Sequence, residues 1–279
     1  MPPCRSSSRP PASIDRLTVV MEKPDETPAD NPAARQSRRL LWAIGVGGLF
    51  FLVIGLTLRW SWSRQMQVLT EIERVGGEVK SEPVGPDWLR RFVGEEVMAG
   101  YDRVVLVNLD GSAVTDVRWA YLEWLTHLEE LYLDRTQVTD ADLVHISELT
   151  KLRKLSLWGT TVGDAGLVHL EGLTKLELLF LSSTKVTDAG MVHLRAMTNM
   201  DYLTLIGTNV TDDGLVHLED MKSLRDLSLR NTQVTDAALV HLRKLPRLRF
   251  LSLHYTKVTD AGIEEWKQAM PHCGIYNTY

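Results

Sequence analysis

Apolar residues return along this chain with a period of 24. Leu128, Leu152, Leu176, Met200, Leu224 and Leu248 each open a copy of L-x-x-L-x-L-x-x-T-x-V-T-D-A-G-L-V-H-L-x-x-L-T-K, with no insertion between copies. A degenerate earlier copy stands in register at Val104, Val107, Leu109, Ser112, Val114, Thr115 and Asp116, which makes seven units. A fixed spacing in this range predicts a solenoid. In each unit x-L-x-L-x alternates with period two, so its leucines face one side of a short strand. T-x-V-T-D then predicts a turn into a helix start, where Thr139 or Asp140 caps free N–H groups. Leu143, Ile146 and Leu149, at i, i+3 and i+6, mark one face of a short helix. A lone unit cannot bury both apolar faces, but stacked units bury them against each other. The expected fold class is α/β: a solenoid over 104–270 with parallel strands on a concave face and short helices on a convex one.

The flanks follow other patterns. Residues 1–39 hold seven prolines and no apolar period, which predicts a disordered tail. Leu40 to Leu58 is free of charge, and as a helix it would span ~28 Å, close to a bilayer core of ~30 Å. Trp42 stands near one edge of this run and Trp60 and Trp62 at the other, as interfacial aromatics do. We read 40–60 as a transmembrane helix. The long preceding segment and the lack of an A-x-A-like site argue against a cleaved signal peptide. Arg35, Arg38 and Arg39 outnumber Arg59 and Arg64, so the N-terminus is expected in the cytoplasm and the repeats outside, periplasmic or extracellular. Residues 61–103 read as a juxtamembrane helix and N-terminal cap. Met66, Leu69, Ile72 and Val75 mark the helix, Gly76-Gly77 stops it, and Glu78–Lys80 forms a strand. Asp87–Val93 reads as a capped amphipathic helix whose Trp88 and Phe92 cover the first apolar layer. Residues 271–279 close the far end, with Pro271 stopping the last helix after Trp266 and Met270, and His272–Tyr276 as an edge strand.

L-x-x-L-x-L-x-x-T-x-V-T-D-A-G-L resembles a leucine-rich repeat, with Thr136, Thr160, Thr184, Thr208, Thr232 and Thr256 where many such repeats carry Asn or Cys. V-T-D-A-G-L is similar to the cysteine-containing class of F-box proteins. The whole arrangement, with R-V-G-G-E-V and P-D-W-L-R-R-F-V-G before the repeats and P-x-C-x-I after them, resembles bacterial membrane-anchored leucine-rich repeat proteins. The resemblance implies the fold; on function it is nearly silent, because the two separate easily.

Charge and chemistry narrow the field. The net charge of −5 divides into +2 for residues 1–39 (seven Lys/Arg, five Asp/Glu) and −7 for residues 59–279 (24 against 31). With no basic stripe in the repeats, no nucleic-acid partner is expected. Cys4 and Cys273 form neither a disulfide framework nor a metal-ligand spacing, and Cys273 reads as a small buried residue. The column His145, His169, His193, His217 and His241 invites a metal or a pH sensor. Neighbouring helices ~8–10 Å apart cannot bring such rings to ~2 Å from one ion, so the histidines read as consensus residues half-covering the helix surface. The column Asp140, Asp164, Asp188, Asp212, Asp236 and Asp260 reads as helix caps rather than calcium ligands, which must gather six to eight oxygens. No phosphate loop, nucleophile elbow or Cys–His pair with catalytic spacing is present. Neither an enzyme nor a cofactor is expected.

The positions that vary between units carry the remaining signal. Tyr132, Trp158, Leu178, Phe180, Tyr202 and Ile206 gather apolar and aromatic side chains on the middle strands, with Glu130, Asp134, Asp226 and Arg230 around them. An apolar centre with a polar rim predicts a protein- or peptide-binding surface on the concave face, and we take Tyr132, Trp158, Leu178, Phe180, Tyr202, Ile206 and Arg230 as the candidate site. Strand propensity alone would also put aromatics there. Two alternatives stay open: an envelope scaffold with no specific ligand, and a cytoplasmic adaptor of the F-box-like type. The adaptor requires the reverse topology, and residues 1–103 hold nothing F-box-like. The Gly45–Gly48 run is not a clean G-x-x-x-G and leaves the oligomeric state open.

Overall fold

The computed structural model describes Leu56, residues 59–111 and residues 119–276. The tail at 1–39 and the membrane span at 40–60, but for Leu56, Arg59 and Trp60, lie outside the described residues, as do Ser112–Asp116 of the degenerate repeat. Among the described residues no helix is long and apolar enough to cross a membrane. The chain from Thr57 onward forms one compact unit.

Its strands form a single nine-stranded sheet in chain order. β1 (Glu78–Glu82) runs antiparallel to β2 (Arg103–Asn108). All later pairings are parallel: β3 (Glu130–Tyr132), β4 (Lys154–Ser156), β5 (Leu178–Phe180), β6 (Tyr202–Thr204), β7 (Asp226–Ser228), β8 (Phe250–Ser252) and β9 (Gly274–Tyr276). Leu131, Leu155, Leu179, Leu203, Leu227 and Leu251 stand side by side in register and are buried. Each such leucine stabilises the fold by about 1.5–3 kcal/mol relative to exposure.

The strands are short because each unit turns through a left-handed residue just after its third leucine. Arg135, Gly159, Ser183, Gly207, Asn231 and Tyr255 all hold φ between 54° and 69°. Gly159 and Gly207 do so freely, whereas a side chain there costs roughly 1–2 kcal/mol. The next residue, the repeated threonine, tightens the turn. Its hydroxyl donates to the leucine carbonyl three residues earlier at 2.6–2.8 Å in all six units.

The helical half of the unit is mostly a mixture of α and 3₁₀ turns, as an i, i+3, i+6 apolar spacing favours. Asp140–Ile146 is 3₁₀, with Leu143 and Ile146 buried. Asp164–Leu167, Asp188–Met191 and Asp212–Leu215 are α turns that pass into 3₁₀. Asp236–Leu242 and Asp260–Ala269 are α-helical throughout.

The threonines cap as expected. Thr187, Thr211, Thr235 and Thr259 accept from backbone N–H groups of the first turn, and Thr139 forms a capping box with Asp142. The aspartates act differently, which corrects the reading of them as caps of their own helices. Asp164 accepts from the Thr187 N–H at 2.8 Å and the Thr187 hydroxyl at 2.6 Å, one unit further on. Asp188 holds Thr211, Asp212 holds Thr235 and Asp236 holds Thr259 in the same way. Each carboxylate therefore ties its unit to the next, and Gly166, Gly190, Gly214 and Gly262 leave it the room.

Both ends are closed. At the N-terminal end α1 (residues 59–74) lays Val68 and Ile72 on the core, each 1% exposed. Leu69 and Val75 pack on the core beside them, so three of the four residues read as the apolar face do face it, and Val68, which the 3-3-3 spacing omits, joins them at i, i+4 to Ile72. α2 (Asp87–Val93) and α3 (Glu95–Ala99) follow β1. Trp88 and Phe92 do not cover the first layer: they are 67% and 85% exposed. α2 has no side-chain cap and no buried residue. The covering is supplied instead by α1 and by β1, whose Val79 packs on the core. At the far end Trp266 is fully buried, flanked by Ile263, Met270 and Cys273.

Candidate functional site

Two columns of side chains cross the strand face. One runs Glu130, Lys154, Leu178, Tyr202, Asp226, Phe250; the other runs Tyr132, Ser156, Phe180, Thr204, Ser228, Ser252, Tyr276. Both are set by the pleat, because the leucine between them points into the core. Of the candidate residues, Tyr132, Leu178, Phe180 and Tyr202 sit on strands, half-buried, and Trp158, Ile206 and Arg230 sit one step later on the turns.

The centre of the face is built by contacts between units. The Phe180 and Tyr202 rings meet at 5.1 Å with a tilt of 34°. Lys154 Nζ lies 4.7 Å from the Tyr132 ring and 5.8 Å from that of Phe180. Tyr132 donates its hydroxyl to Glu130 at 2.7 Å. Burial first, and then this carboxylate, push the phenol above its ordinary range. Trp158 is exposed, with the Arg135 guanidinium 4.1 Å from its ring. Its backbone N–H donates to Asp134, which also accepts from the Ser156 hydroxyl. Asp134, read from the sequence as rim charge, is thus partly structural. Arg230 stands away from this centre, 5.2 Å from the Tyr255 ring.

A second concentration lies toward the C-terminal end. Tyr202, Asp226, Leu227, Ser228, Phe250, Ser252 and Tyr276 line a shallow pocket of about 390 Å³. Phe250 and Tyr276 stack at 6.2 Å and are 47% and 54% exposed, more than Trp158 at 38%. Burial raises the pKa of both Asp226 and Tyr202, and each is raised further by nearby negative charge, Asp201 for the first and Asp226 for the second. The candidate set did not include Phe250 or Tyr276. Counting one more period from Ser252 lands on Tyr276, so this signal was present in the sequence.

The remaining columns are occupied by structural contacts. His145, His193 and His241 place Nδ1 at 2.5, 2.6 and 2.7 Å from Glu123, Glu171 and Glu219 of the preceding unit. Where that preceding position is Ser147 or Arg195, before His169 and His217, no carboxylate stands there. Glu219 is held below the usual carboxylate range by Lys244 and then by His241. Among the described residues no group of three or more His, Cys, Asp or Glu is placed to hold a metal. Cys273 is buried, and burial pushes its thiol up to about 11, which makes it a poor nucleophile. A polar pocket of about 450 Å³ is lined by Arg153, Lys175, Arg225 and Arg247 against Glu177 and Asp201, with Arg153 paired to Glu177 at 2.8 Å and Arg225 to Asp201 at 3.3 Å.

No protein-family model matches the chain. No curated protein matches it either. Among solved structures, an internalin C2 of Listeria monocytogenes is similar at a TM-score of 0.51 and 20% sequence identity, over 66% of this chain and 84% of that one. A leucine-rich repeat protein of Leptospira interrogans is similar at 0.46 and 22% identity, over 56% of this chain and 39% of that one. An internalin of L. monocytogenes is similar at 0.42 and 19%, over 69% and 74%. At these identities the likeness to internalin C2 bears on the fold alone: the chain is a leucine-rich repeat solenoid.

Proposed function

We propose that this chain is a single-pass membrane protein whose leucine-rich repeats bind a protein or peptide through the strand face. The observation that carries the reading is where the solenoid leaves aromatic surface uncovered. Its repeated leucines are buried, yet Trp158, Phe180, Tyr202, Phe250 and Tyr276 stand exposed or half-buried on the strand side. Aromatic side chains with charges around them are the usual anchors of protein interfaces. Mixed aliphatic and aromatic contacts favour a polypeptide over a glycan. The anchor rests on the apolar run at 40–58, and the placement of the repeats outside the cytoplasm rests on the arginines that flank it.

The test is cross-linking in native membranes with the full chain, comparing wild type with a Trp158→Glu, Phe180→Glu double variant that still unfolds cooperatively. One anchor residue is worth about 2 kcal/mol or more, so the variant should bind at least about 30-fold more weakly. A partner held equally by both proteins would overturn binding through this face and favour a scaffold.

A further inference from the structure

α2 presents a face that the fold does not use. Trp88 and Phe92, at i and i+4, share one side of the helix and are 67% and 85% exposed. Arg91 lies beside them, also exposed, and Val93 and, on α3, Val97 are exposed as well. The opposite side is fastened: Arg90 pairs with Asp102 and, at 2.9 Å, with Glu95, and Leu89 turns toward Gly85. The aromatic face is therefore aimed by the packing rather than left over from a loose end.

Its position suggests what it meets. The Trp62 indole N–H donates to the Val97 carbonyl at 3.0 Å, and its ring packs against Gly100. This ties α3, and α2 with it, to the start of α1. Trp62 follows Leu58, the last residue of the apolar run, by four positions. Four residues reach at most ~14 Å however they are folded. If the run enters a bilayer, Trp62 and the part of α3 it holds start close to the membrane surface, and α2 is the helix joined directly to α3.

We propose that the exposed face of α2 rests in the lipid headgroup region, with Trp88 and Phe92 against acyl chains and Arg91 at the level of the phosphates. The inference rests on the membrane-anchored reading above. Tryptophan and phenylalanine with a flanking arginine are the side chains that settle at this boundary. Asp87, Glu95 and Glu96 are also exposed around α2 and offset Arg91, so the contact is driven by apolar burial and does not depend on anionic lipid. The consequence is a solenoid fixed to the membrane at two points, a span and a surface helix, which restrains its swing about a single tether.

The test uses the full chain with Cys4→Ser, reconstituted into phosphatidylcholine vesicles and carrying a nitroxide at Phe92→Cys or, as an aqueous control, at the exposed convex Val240→Cys. Vesicle flotation first reports whether the chain is anchored. Collisional relaxation by oxygen and by a water-soluble nickel chelate then reports the surroundings of each label. The expected result is an oxygen-to-nickel accessibility ratio several-fold higher at position 92 than at 240, unchanged when phosphatidylglycerol is added. A chain that floats while its label at 92 behaves like that at 240 overturns the surface-helix inference and leaves the anchor standing. A label at 92 shielded from both reagents overturns it in favour of a protein cover, either a second copy or the chain's own tail. Failure to float removes the anchor, and this inference with it.

Discussion

The aspartate that opens each repeat helix is the residue on which neighbouring units depend. Asp188 accepts from the Thr211 N–H at 2.7 Å, the Thr211 hydroxyl at 2.6 Å and the Gly214 N–H at 3.0 Å. Removing it strands half-buried donors, at a cost of about 2 kcal/mol. Asp188→Ala should therefore lower the Tm by about 4–8 °C for a domain of this size. Asp260 holds no threonine of a later unit among the described residues. Asp260→Ala should lose only a favourable charge at a helix start, about 0.3–1 kcal/mol, and equal losses from the two variants in thermal unfolding would contradict the clamp. Cys273 offers a second residue-scale measurement. In a Cys4→Ser background the buried thiol, with its pKa raised to about 11, should resist thiol reagents at pH 8 and react once the chain is denatured. The sign of the linkage follows. A thiol that ordinarily ionises near 9.0 binds more protons folded than unfolded between 9.0 and about 11, so stability falls as pH rises through that window. Cys273→Ala should remove this component of the alkaline loss, as read by denaturant midpoints at pH 8 and pH 10.5.

At the scale of elements, the ends are where the sequence was hardest to read. The repeats announce themselves: Leu131 and its column-mates recur at one spacing, and the alternation around them points to strands. The cap occurs once, so no periodicity distinguishes a buried face from a bare one. Trp88 and Phe92 looked like cover because they are large, apolar and spaced for a helix, yet Val68 and Ile72 of α1 do that work. Ile72→Ala should cost about 3 kcal/mol, while Trp88→Ala should stay within about 0.5 kcal/mol. Urea unfolding of the two variants separates the roles, and a large loss at Trp88 would restore it to the core. At the other end Tyr276 falls in the register of the strand face one period after Ser252, so the period alone marks it although its strand lacks the leucine pattern. The aspartates were misassigned for a related reason. A carboxylate at a helix start suggests a cap in its own turn, and only the stacking of units reveals a nearer donor 23 residues on.

For the whole molecule, uniform units mean uniform replaceability. Deleting residues 176–199 removes one complete period and joins equivalent positions, so the shortened chain should still unfold in a single cooperative transition, at a lower midpoint. Deleting residues 176–187 removes a strand and its turn, joins one helical segment to the next out of phase and should abolish that transition, which circular dichroism on heating would show. The clamp adds a direction to this symmetry. The carboxylate always lies in the earlier unit and the threonine it holds in the later one, from Asp164 and Thr187 through Asp236 and Thr259. During synthesis, then, each emerging helix start finds its acceptor already made and in place, and no unit waits for a successor to complete its own first turn. The ladder favours growth with the ribosome, N-terminal end first. A nascent chain halted between units would leave its last carboxylate facing water, where it is well solvated, and not a buried donor in want of a partner.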